Sequence, residues 1–320
     1  MTRNDKMPVW GLINANGEFQ LPPTYSFLHY SGGPFVLCRT LDGLEGVILT
    51  DGSGVLKPTF QSVRVPANGV VAAEQDGKWG VITLEGNVLV PFEWRRIGNW
   101  HSDRAAATLD GWGFLGTDGR RVVEPNYLQA NNFSENMAAV SSEIGKWHFV
   151  DEHGCVAIDE RYERVGLFRN GLAYVASASF RGYIDRNGSQ VIDGSGWASS
   201  NFFSDGLAYV CQIRSGKDWF GYIDVYGEWV ISATLEDANP FSESFAAAKH
   251  SGRWGLINTL GDWVMEPRFD NISQMSDGLA AFRLNERWGY MSRDGRIQIP
   301  AQFASAQTFH DGLAAVAIDD

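Results

Sequence analysis

Apolar and polar positions along the chain follow short strand-like runs that end in tight turns, and the same run keeps returning. Arg287-Trp288-Gly289-Tyr290-Met291-Ser292 leads into Arg293-Asp294-Gly295, and Trp254-Gly255-Leu256-Ile257-Asn258 leads on to Gly261. Taking the residue after the Trp as marker gives Gly11, Gly46, Gly80, Gly113, His148, Gly182, Gly221, Gly255 and Gly289. These positions lie 33 to 35 residues apart, except for 39 between Gly182 and Gly221. A second glycine follows six residues after each marker, from Gly17 to Gly295, often closing an Asp/Asn-x-x-Gly turn such as Asn258-Thr259-Leu260-Gly261. Such a turn uses the polar side chain to hold backbone N–H groups and the glycine to occupy positive φ.

Four residues beyond the turn glycine stands an aliphatic residue or Met in all nine repeats, from Leu21 to Ile299. Four further on comes an aromatic residue in most, often behind a proline, as at Pro23-Thr24-Tyr25. A proline there ends a strand or confines it to an edge. A small-residue run closes the repeat, as in Gly278-Leu279-Ala280-Ala281-Phe282 and Gly312-Leu313-Ala314-Ala315-Val316. No stretch sustains a helical period, so each repeat of about 34 residues is predicted to hold three strands.

One such repeat cannot bury both faces alone, and stacked neighbours share a continuous core. Residues 1–320 are therefore expected to form a single all-β array of nine repeats. Four-stranded blades typically need about 40–45 residues, so an open or strongly curved solenoid is expected. The alternative is a closed, propeller-like ring. The chain starts in a Trp-Gly strand and ends on a lone run at 312–316, which would complete repeat one.

Lys78-Trp79-Gly80, with the Ile, Gly, Pro-x-aromatic and Gly-Leu-Ala-Ala-Val positions that follow in other copies, resembles the WG (KWG) β-repeat family of bacterial proteins. The resemblance spans essentially the whole chain. It implies an interaction role and brings no catalytic residues with it. Repeats two, five, six and seven depart from the Trp-Gly pair, carrying Glu45, His148, Arg181 and Phe220.

Composition supports a folded chain, with 44% hydrophobic and 20% charged residues. Net charge of -12 argues against a nucleic-acid partner, whose phosphates demand Lys and Arg, and suits one basic protein partner. Arg95-Arg96 and Arg120-Arg121 are isolated pairs. Cys38, Cys155 and Cys211 form neither a disulfide framework nor a zinc pattern. Residues 1–6 lack an apolar leader, and no stretch approaches the roughly 20 apolar residues that span a bilayer. A cytoplasmic location and no membrane partner are the expectations.

The chemistry is sparse. The Asp and Asn ladder (Asn14, Asp151, Asp185, Asp224, Asn258) reads as turn capping, one residue per repeat. Repeat five gathers His148, Asp151, Glu152, His153 and Cys155, but strand parity sends His148 and Asp151 to opposite faces. No nucleophile elbow, phosphate loop or dinucleotide fingerprint appears, so no catalytic residue, metal or cofactor is expected.

Partner binding is assigned to the long repeat between Gly182 and Gly221. It holds Gly194-Ser195-Gly196-Trp197, an enlarged loop over 212–218 ending at Asp218, and then Trp219. Trp229 and Trp263 join these two residues after their turn glycines. Parity with the aliphatic position aims them at the core, while the variety at that position (Phe19, Val88, Arg121, Gln190, Ile297) points to partial exposure. The expected function is a non-enzymatic protein-binding scaffold, in a narrower version an immunity or antitoxin protein against a basic toxin. The alternative is a glycan- or cell-wall-binding module using exposed aromatics.

Overall fold

In the computed structural model, which describes residues 7–319, the chain forms strands and turns, with no helix among the described residues. Residues 1–6, read above as lacking a leader, lie outside the described part. Nine antiparallel sheets appear there, each of four strands rather than three. The additional strand is short, typically two residues such as Ser305–Ala306 or Asn271–Ile272, and pairs with the small-residue strand. Two residues without an apolar period carry no sequence signal for a strand.

The repeat frame and the sheet frame do not coincide. A sheet takes its short and small-residue strands from the end of one repeat, and its Trp-Gly and outer strands from the start of the next. The ninth sheet, for example, runs Asn271–Ile272, Leu279–Leu284, Arg287–Ser292, Ile297–Phe303. The first sheet therefore needs Leu313–Ile318, which lies between Ser305–Ala306 and Val9–Asn14. The pairing runs in unbroken register from Val9↔Ile318 to Asn14↔Leu313. This corrects the open solenoid. The terminal strand completes repeat one, as the propeller-like alternative required, and each sheet has the strand number of a propeller blade.

Contacts divide the chain into two compact bodies, residues 1–63 with 235–320, and residues 64–234. Sheets one, two, eight and nine lie in the first; sheets four, five and six lie wholly in the second, with nearly all of three and seven. In each body the core is built from the middle strands. Leu12, Ile13, Ala314, Ala315 and Val316 are fully buried in the first body, and Val81, Ala105, Ala107 and Leu115 in the second.

Cross-strand pairing explains the Trp-Gly pair. The Trp stands opposite the aromatic of the outer strand, as in Trp112↔Tyr127, Trp254↔Phe269 and Trp288↔Phe303. Between Trp288 and Tyr290 lies one residue, whereas three separate Phe303 from Ile299, so the outer strand bulges and turns a carbonyl inward. A Cβ on Gly289 would sit 2.5 Å from the Ile299 carbonyl oxygen. Only glycine fits.

The turn reading also holds. Gly261 has φ +87°, its N–H donates to the Asn258 carbonyl at 3.0 Å, and Asn258 Oδ1 accepts from the Leu260 and Asp262 N–H groups. Most turn glycines sit against the preceding repeat. The place a Cβ would take on Gly227 is 2.6 Å from Ile192, and on Gly188 it is 3.0 Å from Ile158. The aliphatic position is thus the socket for the next repeat's turn.

Candidate functional site

Two neighbouring departures from the repeat, in repeats six and seven, change the surface of the second body. In sheet six the outer strand is only Gln190–Asp193, against seven residues in most other sheets, because Gly194 and Gly196 replace the Pro-x-aromatic ending. Asp193 Oδ1 accepts from the Ser195 N–H at 2.9 Å, and the Trp197 N–H donates to the Gly194 carbonyl at 2.9 Å. This turn folds Trp197 back into the aromatic slot. Its ring meets Tyr183 edge-on at 6.1 Å and is 7% exposed. Trp197, expected to bind a partner, is a core residue.

Arg181 occupies the place of the marker Trp and donates to the Trp197 carbonyl at 2.7 Å. The shortened outer strand leaves an open cavity of about 650 Å³ beside it, lined by Ser177, Phe180, Arg181, Gln190, Asp193 and Ser195 among others. Sequence reasoning missed this cavity. Its signals were the loss of the marker Trp and of the Pro-x-aromatic ending in the same repeat.

The supposed loop over 212–218 is a hairpin. Leu207–Arg214 and Lys217–Asp224 pair along all eight residues, and Ser215 (φ 52°) and Gly216 (φ 74°) form the two-residue turn. Positive φ at both central positions matches the right-handed twist of the strands, so the hairpin extends instead of splaying into a loop. The corresponding strands in sheets eight and nine have six residues. Ile213, 62% exposed, pairs with exposed Asp218, while half-buried Trp219 pairs with Gln212 on the opposite face. Arg214 braces the hairpin by donating to the Ala233 carbonyl at 3.3 Å and to Gln212 Oε1 at 2.6 Å. Burial, reinforced by the Asp218 charge, pushes the Cys211 thiol up.

Trp229 begins the outer strand of the same sheet and is 39% exposed. It lies roughly 15 Å along the strands from Trp219. Trp263 belongs to the first body, where its ring covers Gly255. The parity argument for Trp263 fails for a definable reason. Ile257 pairs with Trp263 and Leu256 with Met265, so one step on the inner strand spans two on the outer, and the bulge turns the intervening residues to the other face. Asp218 and Trp219 therefore share the hairpin, whereas Trp197 is buried and Trp229 stands apart.

The repeat-five cluster does not converge. Asp151 Oδ1 accepts from the N–H groups of His153 and Cys155, both at 2.9 Å, while His148 is buried, Glu152 pairs with Arg104, and the His153 and Cys155 side chains are exposed. Among the described residues no three His, Cys, Asp or Glu side chains are grouped as metal ligands. His148 Nδ1 has no partner, and its ring lies 5.8 Å from that of Tyr127. Burial chiefly, then Arg161, lowers the His148 pKa; burial also lowers those of His29 and His101.

A histidine that binds its proton less readily when folded imposes no penalty above its ordinary value of 6.5. Below that value the unfolded chain takes up protons that the folded chain refuses, so stability falls. Melting temperature should drop between pH 7 and about pH 5.5, and His148→Gly, restoring the residue of the other eight repeats, should flatten part of that slope. Identical slopes in the variant and wild type would remove His148 from the account.

Comparison with known proteins bears on the repeats. The model of the WG containing repeat matches residues 10–33, 46–79, 79–111, 112–147, 220–254, 254–288 and 288–320. No curated protein matches the chain. Among solved structures, a eukaryotic initiation factor is similar at 10% identity and TM-score 0.63, covering 98% of each chain, a likeness of fold alone. BamB from Moraxella catarrhalis is similar at 9% identity and TM-score 0.45, covering 91% of this chain and 93% of that one. A computationally designed protein, Ika8, gives 12% identity and TM-score 0.47, with 91% and 92% covered.

Proposed function

The chain belongs to the WG-containing repeat family, and on that premise we propose that it is a non-enzymatic scaffold that binds a basic protein partner. The observation that carries this reading is the division of labour along the chain. The family matches stop at residue 147 and resume at 220. Between them lie the Arg181 cavity and most of the projecting strand Leu207–Arg214, whose hairpin carries the exposed Ile213. Regular repeats supply a framework, and the unmatched stretch supplies a surface with a feature of its own. Exposed apolar residues flanked by polar groups are what a binding patch requires. The net charge of -12 sets the sign of the partner by complementarity. In the narrower form of the proposal that partner is a toxin, which the scaffold would inactivate by occlusion.

The test is capture of a partner from the native host, followed by association kinetics with the purified pair. Association should slow markedly between 50 and 500 mM salt, since the screening length at physiological salt is already about 8 Å. Ile213→Lys and Trp219→Ala should weaken binding by about tenfold or more while leaving the melting curve near wild type. Salt-independent association would reject the electrostatic part, and wild-type binding by both variants would place the surface elsewhere. A glycan-binding reading draws on Trp229, whose ring is partly exposed beside Val230. Loss of cell-wall binding in Trp229→Ala, with protein capture unaffected, would favour it.

A further inference from the structure

A second concave site lies elsewhere in the second body and has the opposite chemistry. Its lining residues are Arg64, Arg96, Gly98, Asn99, Ala106, Trp112, Ala130 and Asn132, around a cavity of about 380 Å³. That volume is within the roughly 300–1,000 Å³ usual for small-molecule sites. No carboxylate lines it, although the whole chain is acidic. Arg64 is held in place: its Nε donates to the Ile97 carbonyl at 3.2 Å, and its guanidinium lies 4.2 Å from the centre of the Trp79 ring. Nearby arginines are neutralised, Arg95 by Asp110 and Arg121 by Glu93 and Glu124. Arg96 is not. Among the described residues its guanidinium, like the amides of Asn99 and Asn132, has no hydrogen-bond or ion-pair partner.

Gly98 keeps this cavity open. It lies opposite Ala106, as Arg64 lies opposite Ala72, Asn131 opposite Ala139 and Asn201 opposite Tyr209. Those three equivalents carry side chains, a fourth, Gly166 opposite Tyr174, does not, and φ at Gly98 is not in the positive region, so this strand position accepts glycine or a larger residue. A Cβ on Gly98 would lie 3.3 Å from the Ala106 carbonyl oxygen, a close contact, and 3.9 Å from Asn132 Oδ1, and anything longer would grow into the cavity. Glycine within a strand often marks close approach of a ligand.

We infer that this cavity binds a small oxyanion, a carboxylate or a phosphate, through the Arg64 and Arg96 guanidiniums and the Asn99 and Asn132 amides. Guanidinium forks match both groups, and charge-assisted hydrogen bonds from a concave site outweigh the long-range repulsion of an acidic protein. The site is independent of the protein-binding surface proposed above.

Isothermal titration of the full chain at low salt, with inorganic phosphate and separately with succinate, tests the inference. At least one should bind saturably at one site per chain, and which one does so assigns the anion class. Arg96→Gln and Gly98→Gln should each weaken that binding by about tenfold or more, the loss expected for one charge-assisted hydrogen bond or for a filled cavity. Should Gly98→Gln melt below wild type, the exposed Arg96→Gln variant decides alone. Failure of both anions to titrate saturably, or undiminished binding by Arg96→Gln, overturns the inference.

Discussion

A chain shortened to end at Asp311 is expected to lose more than about 5 kcal/mol, the lower end of the stability of a whole domain, and so to be largely unfolded in its first body. The deletion removes the strand that lies between Ser305–Ala306 and Val9–Asn14, leaving both without their partner. It also takes Ala314, Ala315, Val316 and Ala317, all fully buried, out of the core that they share with Leu12, Ile13 and Tyr290. Backbone groups left unpaired inside a protein cost about as much as the hydrogen bonds they lose. Denaturant unfolding followed by tryptophan fluorescence measures the effect. A synthetic peptide of residues 312–320 should restore part of the lost stability in trans, as a donated strand does at an open sheet edge. A truncated chain that unfolds at the wild-type midpoint would show that the terminal strand is not the closing element.

The second large effect is expected from Trp197→Ala, at about 3–5 kcal/mol of destabilisation. Trp197 packs against Tyr183 with Ile192 and Phe203 in the same cluster, and it fills the slot that Gly196 leaves empty in repeat six. Trp229→Ala should cost less than about 1 kcal/mol, since that ring is partly exposed. Urea midpoints of the two variants make the comparison. Equal midpoints would mean that Trp197 does not fill a core position.

What the sequence disclosed follows from how local each constraint is. Turn glycines at positive φ and marker glycines under a bulged strand are favoured by local backbone geometry, so they recur visibly, as Gly261 and Gly289 show. Asn258 likewise announces its turn because its side chain bonds within four residues. The fourth strand was illegible because Ser305–Ala306 is too short for any period. Trp263 was aimed at the face of Met265 because parity cannot foresee a bulge. Ser215-Gly216 looked like part of a loop, since turn residues announce a reversal but not the length of strand on either side. The Arg181 cavity was only indirectly visible. It arises from a strand that stops early, which takes two simultaneous departures from the repeat to infer.

The offset between repeat and sheet has a consequence for how the protein is made. Strand Val9–Asn14 is translated about 300 residues ahead of its partner Leu313–Ile318. At about 5–20 residues per second the early strand waits roughly 15–60 s with one edge unpaired. During that interval the nascent chains of a polysome present identical open edges, complementary to any Leu313–Ile318 strand that a neighbouring copy completes first. Exchange of that strand between copies is the misassembly to which this architecture is most exposed, and slow translation, not weak packing, would promote it.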